Sequence, residues 1–479
     1  MSSKNNQRKG VSRRAFLGQA SCAALGTTTF LNSFLNLGMI GALSAKPMRM
    51  AAMPRPFNDD YKALVCILLA GGNDSYNMLV PYTGEIYDQY AATRSNLALP
   101  QGSILPLNYT DGSGYQYAVH PSMPEVQQLF NDGKLAFVSN VGTLREPTTK
   151  QQILAGTATL PLGLLSHADQ IQQWQTSLPQ ERSAKGWGGR MADILSTLNT
   201  NQDVAMGISL AGVNTFQTGN DVVEYAIQNT GNGSVGIEFL DGTDPFSQFL
   251  GGSVESLLNQ QYQDIFKSTY AGKVINSHDQ HLLFSASIAS VPPFLSPFTQ
   301  SNPISKSLQM VAKSIAAHQS LGHSRQTYFI TFGGWDHHDE VLNNQTAMLA
   351  IVSQAMAEFQ AALEEIQMAD CVTTYTISDF ARTLTSNGNG TDHAWGGNSI
   401  VMGGSVNGGQ IYGQYPSLAL GSDFEVGNGV LLPTTSADAY FAELAMWMGV
   451  EPGDIPYVLP NIGNFIDVNN GLPLGFLNV

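Results

Sequence analysis

Along the chain, apolar residues gather into short unbroken runs separated by amphipathic stretches. Residues 62–70 (KALVCILLA) are apolar almost without interruption and stop at Gly71-Gly72-Asn73-Asp74-Ser75. A run without polar alternation fits a strand covered on both faces, as in a parallel sheet. Runs at 134–141, 326–332 and 371–377 predict three more strands, and 203–210 a further candidate. Amphipathic spacing predicts helices near 123–130, 166–177, 187–199, 303–319 and 341–368. Strands alternating with helices give an α/β class, expected here as a three-layer α/β/α sandwich with a mostly parallel central sheet. Residues 212–300, rich in Gly, Ser, Asn and Thr, read as a less regular insertion or cap within one domain spanning 61–479.

The N-terminus departs from this pattern. A polar basic start leads into Ser12-Arg13-Arg14-Ala15-Phe16-Leu17 and then an Ala- and Gly-rich run broken by Thr, Asn and Ser. Paired arginines followed by Phe and Leu match a twin-arginine export signal, and the interrupted run makes a poor membrane span. Residues 1–45 are therefore expected to be a signal, cleaved near 42–45, and 46–60 a linker. The twin-arginine translocase is the expected partner and the periplasm, or secretion, the destination. No stable membrane span is expected.

The chain has 479 residues, a formal net charge of −15 and only 12% charged residues. An acidic surface repels phosphate backbones, which argues against nucleic-acid binding. Of the three cysteines, Cys22 lies in the signal, and Cys66 and Cys371 sit in strand-like runs. A disulfide between those two is open in an oxidising compartment, and no CxxC zinc pattern exists.

Three apolar strands each lead to an aspartate: Asp74, Asp336 and Asp379. Ligands of open parallel sheets bind outside the carboxyl ends of the strands. Three carboxylates brought there need a positive charge, and a divalent cation supplies it. His337 and His338 follow Asp336, and His393 follows Asp379 across a Gly/Asn-rich loop. Mixed Asp/His ligation suits zinc or manganese, and an oxygen-dominated set suits calcium. Each aspartate alone also fits a helix cap or an Asx turn. Ser166, before a predicted helix, is a candidate nucleophile, because helix N-terminal amides stabilise an alkoxide and bind ester oxyanions. Ser75 competes with it. Arg382 is a candidate to hold an ester oxygen or, equally, a member of a surface ion pair. No GxSxG, Walker A or HExxH pattern occurs, and the Gly-rich stretch after the first strand, GGND, lacks the GxGxxG pattern.

LLAGGNDSYNMLVPY, LLSHADQIQQWQ, GWGGRMADIL, GGWDHHDE and SDFARTLTSNGNGTDHAWGG, in that order behind a twin-arginine start, resemble the bacterial family catalogued as domain of unknown function 1501. That family resembles the alkaline phosphatase and sulfatase superfamily. The resemblance implies an alkaline-phosphatase-like fold and a two-metal-type site. In it Asp74, Asp336 with His337 or His338, Asp379 and His393 are ligands and Ser166 is the nucleophile. Phe380 stands where phosphatases carry a histidine, and Glu340 stands four residues after Asp336, where the second histidine is expected. The function so implied is a metal-dependent hydrolase of phosphate or sulfate esters acting on a small-molecule or glycan ester. The alternative is a non-catalytic, metal-stabilised envelope binding protein.

Overall fold

The long apolar run becomes the centre of the molecule. In the computed structural model, which describes residues 60–237, 240 and 242–478, Lys62–Ala70 forms strand β1 in the middle of a nine-stranded sheet. The other strands are β2 (Leu135–Gly142), β3 (Gly207–Ser209), β4 (Tyr225–Ala226), β5 (Arg325–Gly333), β6 (Val372–Ser378), β7 (Gly397–Met402), β8 (Ile411–Tyr412) and β9 (Thr435–Ser436). The order is β8-β2-β7-β6-β1-β5-β3-β4, with β9 beside β2. β1 pairs in parallel with β5 and β6, β3 with β5 and β4, and β8 and β9 with β2. β7 alone is antiparallel to its neighbours.

Alternate β1 side chains feed two separate cores, which makes the fold three-layered. Ala63, Val65, Ile67 and Leu69 pack with helices α2 (Pro124–Asn131), α7 (Pro303–Ala316) and α8 (Val341–Glu365). Leu64, Cys66 and Leu68 pack on the other face with α3 (His167–Thr176), α4 (Trp187–Leu195) and α9 (Ala437–Met448). This is the expected α/β/α sandwich. No disulfide joins Cys66 to Cys371. α8 is the one described helix long and apolar enough to cross a membrane. Its Leu349, Val352, Met356 and Phe359 are buried in the first core, so it serves as a core helix.

Residues 212–300 differ from the expected irregularity. They contain β4 and two helices, α5 (Pro245–Leu258) and α6 (Ile265–Ala289). Asp244 and Asp264 cap them by accepting two backbone N–H groups each, which satisfies donors that the first turn leaves open. Their composition hides them, because Gly, Ser, Asn and Thr are frequent through the segment. Phe246, Phe249, Phe266 and Tyr270 stay exposed, whereas Phe284 and Ile288 near the end of α6 join the core. The twin-arginine segment and most of the linker lie outside the described residues.

Candidate metal centre

Register delivers the acidic residues to one edge. In the parallel pairing Ala70 lies opposite Gly333, and Leu69 lies opposite Ser378, so β1, β5 and β6 end together. The loop after β1 turns at Gly71, whose φ is +121° and whose amide donates to Asp379 Oδ1 at 3.0 Å. A Cβ at Gly71 would lie 2.6 Å from the Asp336 nitrogen, so only glycine lets the two loops approach.

Asp379 is fully buried, and its Oδ2 lies 2.7 Å from His167 Nδ1. Burial raises its carboxyl above the usual range, against the Gly71 amide and His167, which stabilise the anion. His167 is the first residue of helix α3, and its Nε2 reaches Asp336 Oδ2 at 3.5 Å. His393 Nδ1 lies 2.8 Å from the Leu165 carbonyl oxygen, and its Nε2 lies 3.4 Å from Asp336 Oδ1. Ligand atoms of His167, Asp336 and His393 all fall within 4.8 Å of one another. His338 flanks this trio. Its Nε2 is 3.1 Å from both Asp336 Oδ1 and His393 Nε2, and its Nδ1 is 3.2 Å from Asp392.

The donor set fits a cation. A carbonyl oxygen only accepts, so the proton of neutral His393 sits on Nδ1 and its Nε2 presents a lone pair. Burial lowers the pKa of His393, which keeps it neutral. His167 donates from Nδ1 to Asp379 in the same way. With both imidazoles neutral, two Nε2 lone pairs and the Asp336 carboxylate converge, which is a donor set for a cation. A histidine ligand whose other ring nitrogen is held by a carboxylate or a carbonyl is a common support for bound metal.

The remaining anticipated residues are placed differently. Asp74 is fully buried and forms an ion pair with Arg94, also fully buried, the last residue of helix α1 (Gly84–Arg94). Arg94 also donates to the Thr383 carbonyl at 2.9 Å. Asp74 thus has an internal counter-ion on Oδ2, and its Oδ1 is buried without a hydrogen-bond partner among the described residues. His337 is buried outside the trio, with neither ring nitrogen hydrogen-bonded. Burial, then the Arg382 charge, lower its pKa. Arg382 is buried and clamps the loops together. It donates to the carbonyls of Gly72, Gly71, Thr391 and Trp335 at 2.8–3.2 Å and pairs with Asp336. Burial raises the Asp336 carboxyl, but Arg382 and the neighbouring histidines outweigh it and hold the group below the usual range. Ser166 is the N-cap of α3, and its hydroxyl interacts with Asp169. Ser75 is buried, with Oγ accepting the Asn398 N–H at 2.9 Å.

His167 and Arg94 were not singled out in the sequence. The Ser166-His167 pair before a helix was the available signal for the first. Arg94 gave none, because its partner lies twenty positions away.

Comparison with solved structures gives low overall similarity. The chain is 12% identical to Ps i-CgsB in complex with k-i-k-neocarrahexaose, covering 84% of this chain and 77% of that one at a TM-score of 0.33. It is 8% identical to the lipoteichoic acid synthase LtaP from Listeria monocytogenes (86% and 78% covered, TM-score 0.32). It is 11% identical to the PsFucS1 sulfatase from Pseudoalteromonas sp. (86% and 70% covered, TM-score 0.32). No curated relative matches in sequence. The family model described as "Protein of unknown function (DUF1501)" matches residues 61–428, and the chain belongs to that family.

Proposed function

We propose that the protein is an exported, metal-dependent hydrolase of phosphate or sulfate esters. The observation that carries the reading is the convergence of His167, Asp336 and His393 on one point at the carboxyl edge of the sheet, each imidazole fixed from behind. Two imidazoles and one carboxylate suit zinc or manganese better than calcium, which takes oxygen ligands. A bound divalent cation supplies Lewis acidity that draws charge from an ester oxygen.

The chain's own residues do the rest. Asp379 and the Leu165 carbonyl orient the imidazoles, and Arg382 fixes Asp336. Ser166 offers its hydroxyl at the N-terminus of α3, where open amides and the helix dipole stabilise developing negative charge. Attack by Oγ on phosphorus or sulfur forms a serine ester and breaks the bond to the alcohol, which leaves with the proton. Water then hydrolyses the serine ester to free phosphate or sulfate. Export by the twin-arginine translocase would bring this chemistry to the periplasm or the medium.

The non-catalytic alternative draws support from one observation: Asp74 and Arg382 are consumed by bonds within the scaffold. An assay on 4-nitrophenyl phosphate and 4-nitrophenyl sulfate separates the two. The hydrolase reading expects turnover that chelator and Asp336→Asn both abolish. Turnover of neither ester by cation-loaded wild type leaves the binding protein in its place.

A further inference from the structure

A cavity of about 370 Å³ runs along the outer face of α3. Ala168, Ile171, Gln172 and Gln175 form its floor, at the i, i+3, i+4, i+7 spacing of one helix face. Its first lining residue, Ala168, follows His167 in α3, and the lining extends about 10 Å along the helix, seven residues at roughly 1.5 Å each. Asp169 also lines it, and Arg182 and Thr215 complete the lining from two loops.

Each long polar side chain here has one end fixed by the protein and the other end uncommitted. Gln172 Nε2 donates to the Ser183 carbonyl at 2.8 Å, which leaves its Oε1 as an acceptor. Gln175 Oε1 accepts the Phe216 N–H at 3.0 Å, which leaves its amide donors. Arg182 Nε donates to Asp169 Oδ1 at 2.8 Å, and among the described residues its Nη groups make no hydrogen bond. Gly163, at φ +60°, makes room for Asp169, since a Cβ there would lie 2.3 Å from Asp169 Oδ2.

We propose that this groove binds the part of the substrate beyond the reacting ester, and that this part is a polyhydroxylated, glycan-type chain. The ester end of the argument rests on the hydrolase reading above; the groove rests on its own lining. Pre-fixed acceptors alternating with pre-fixed donors match hydroxyl groups, which both donate and accept, with little ordering cost on binding. The other classes fit poorly. No aromatic ring lines the groove to stack a nucleobase. Ala168 and Ile171 alone are too little apolar surface for an acyl chain. Asp169 balances the Arg182 charge, and the chain's net charge of −15 disfavours a polyanion.

The test is a binding titration of wild type and of the double variant Gln172→Ala, Arg182→Ala against three probes: maltohexaose carrying a single sulfate ester, a mannose oligosaccharide carrying a single phosphate ester, and unsubstituted maltohexaose. Wild type is expected to bind the sulfated or the phosphorylated probe, and the arm that binds identifies the ester. The double variant is expected to bind it at least tenfold more weakly. Its melting temperature should stay close to wild type, because an exposed ion pair contributes only about 0–1 kcal/mol. Equal affinity in the two proteins, or no binding of any probe to wild type, overturns the proposal. The nitrophenyl ester assay carries no sugar and reports on the hydrolase reading alone.

Discussion

An imidazole whose Nδ1 faces a carbonyl oxygen has no choice of tautomer, and that constraint leaves the His393 Nε2 lone pair, not a proton, on the side of Asp336. His167 depends instead on Asp379, a buried carboxylate whose replacement keeps shape and removes charge. Asp379→Asn is expected to weaken cation binding by roughly 10–100-fold, the usual cost of losing a carboxylate behind a histidine ligand. Competition with a fluorescent chelator measures it, and unaltered affinity would mean that His167 needs no such support. Asp74→Asn should behave oppositely. It leaves Arg94 buried without its partner and should cost about 3–5 kcal/mol of stability, with cation affinity little changed. Far from this edge, Asp438 is buried in the first turn of α9, and burial pushes its carboxyl up to about 7. The unfolded group ionises near 3.9, so between about pH 4 and pH 7 the folded state holds the extra proton and stability falls as pH rises. Asp438→Asn removes that loss. The difference in melting temperature, variant minus wild type, should climb from pH 4 to pH 7 and level off above it, worth up to roughly 4 kcal/mol. A difference that stays flat with pH would place the carboxyl in its ordinary range.

The elements approach closely where β1 turns into the Asp74 loop. Gly71→Ala there combines a φ of +121° with a Cβ 2.6 Å from the Asp336 nitrogen. It should cost about 1–3 kcal/mol and loosen cation binding, because the two loops must separate. Gly102→Ala, where nothing lies within 4 Å, is the control and should change little. Equal melting temperatures for the two variants would show that the close approach is not needed. The strands that build this edge were legible in the sequence, because a central parallel strand must be apolar on both faces. The runs at 326–332 and 371–377 correspond to β5 and β6 within a residue at each end. α5 and α6 were not legible: the Gly251-Gly252 pair and the Gly-, Ser- and Asn-rich surroundings mask α5, whose apolar residues do share a face, and those of α6 are spread around the helix. At the site, the clustering of Asp336 with His338 and His393 follows from reading strand ends and the loops after them. The pairing of Asp74 with Arg94 does not, because it depends on how α1 packs against the loop after Asp379. His167 joins through α3, which covers the opposite face of the sheet from α8, a placement no local pattern specifies.

At the scale of the whole molecule, the fold extends beyond the matched family region. α9 and the segment after it supply Tyr440, Phe441, Trp447 and Phe476 to the second core, so residues past 428 belong to the same folded unit. On the export proposed above, a folded unit of this size is cargo for a route that carries folded proteins. Arg13→Lys with Arg14→Lys should therefore hold the precursor in the cytoplasm, since the route reads the arginine pair itself. Cell fractionation checks this, and normal periplasmic accumulation would refute the export reading. The cation should also be felt globally. At the candidate centre Asp74 and Asp336 pair with the guanidiniums of Arg94 and Arg382, and Asp379 is held by the Gly71 amide and His167. A cation held at His167, Asp336 and His393 binds the folded state and not the unfolded chain, so it stabilises by mass action, about 2.7 kcal/mol at 100 times its Kd. Chelation is expected to lower the melting temperature, and zinc or manganese to restore it. Asp336→Asn should melt at one temperature with or without chelator, because the site it would empty is already lost. Asp74→Asn should start lower and still respond. Wild type that melts identically in chelator and in zinc, with no metal found by elemental analysis, would leave His167, Asp336 and His393 as a hydrogen-bonded cluster and remove the basis for the hydrolase.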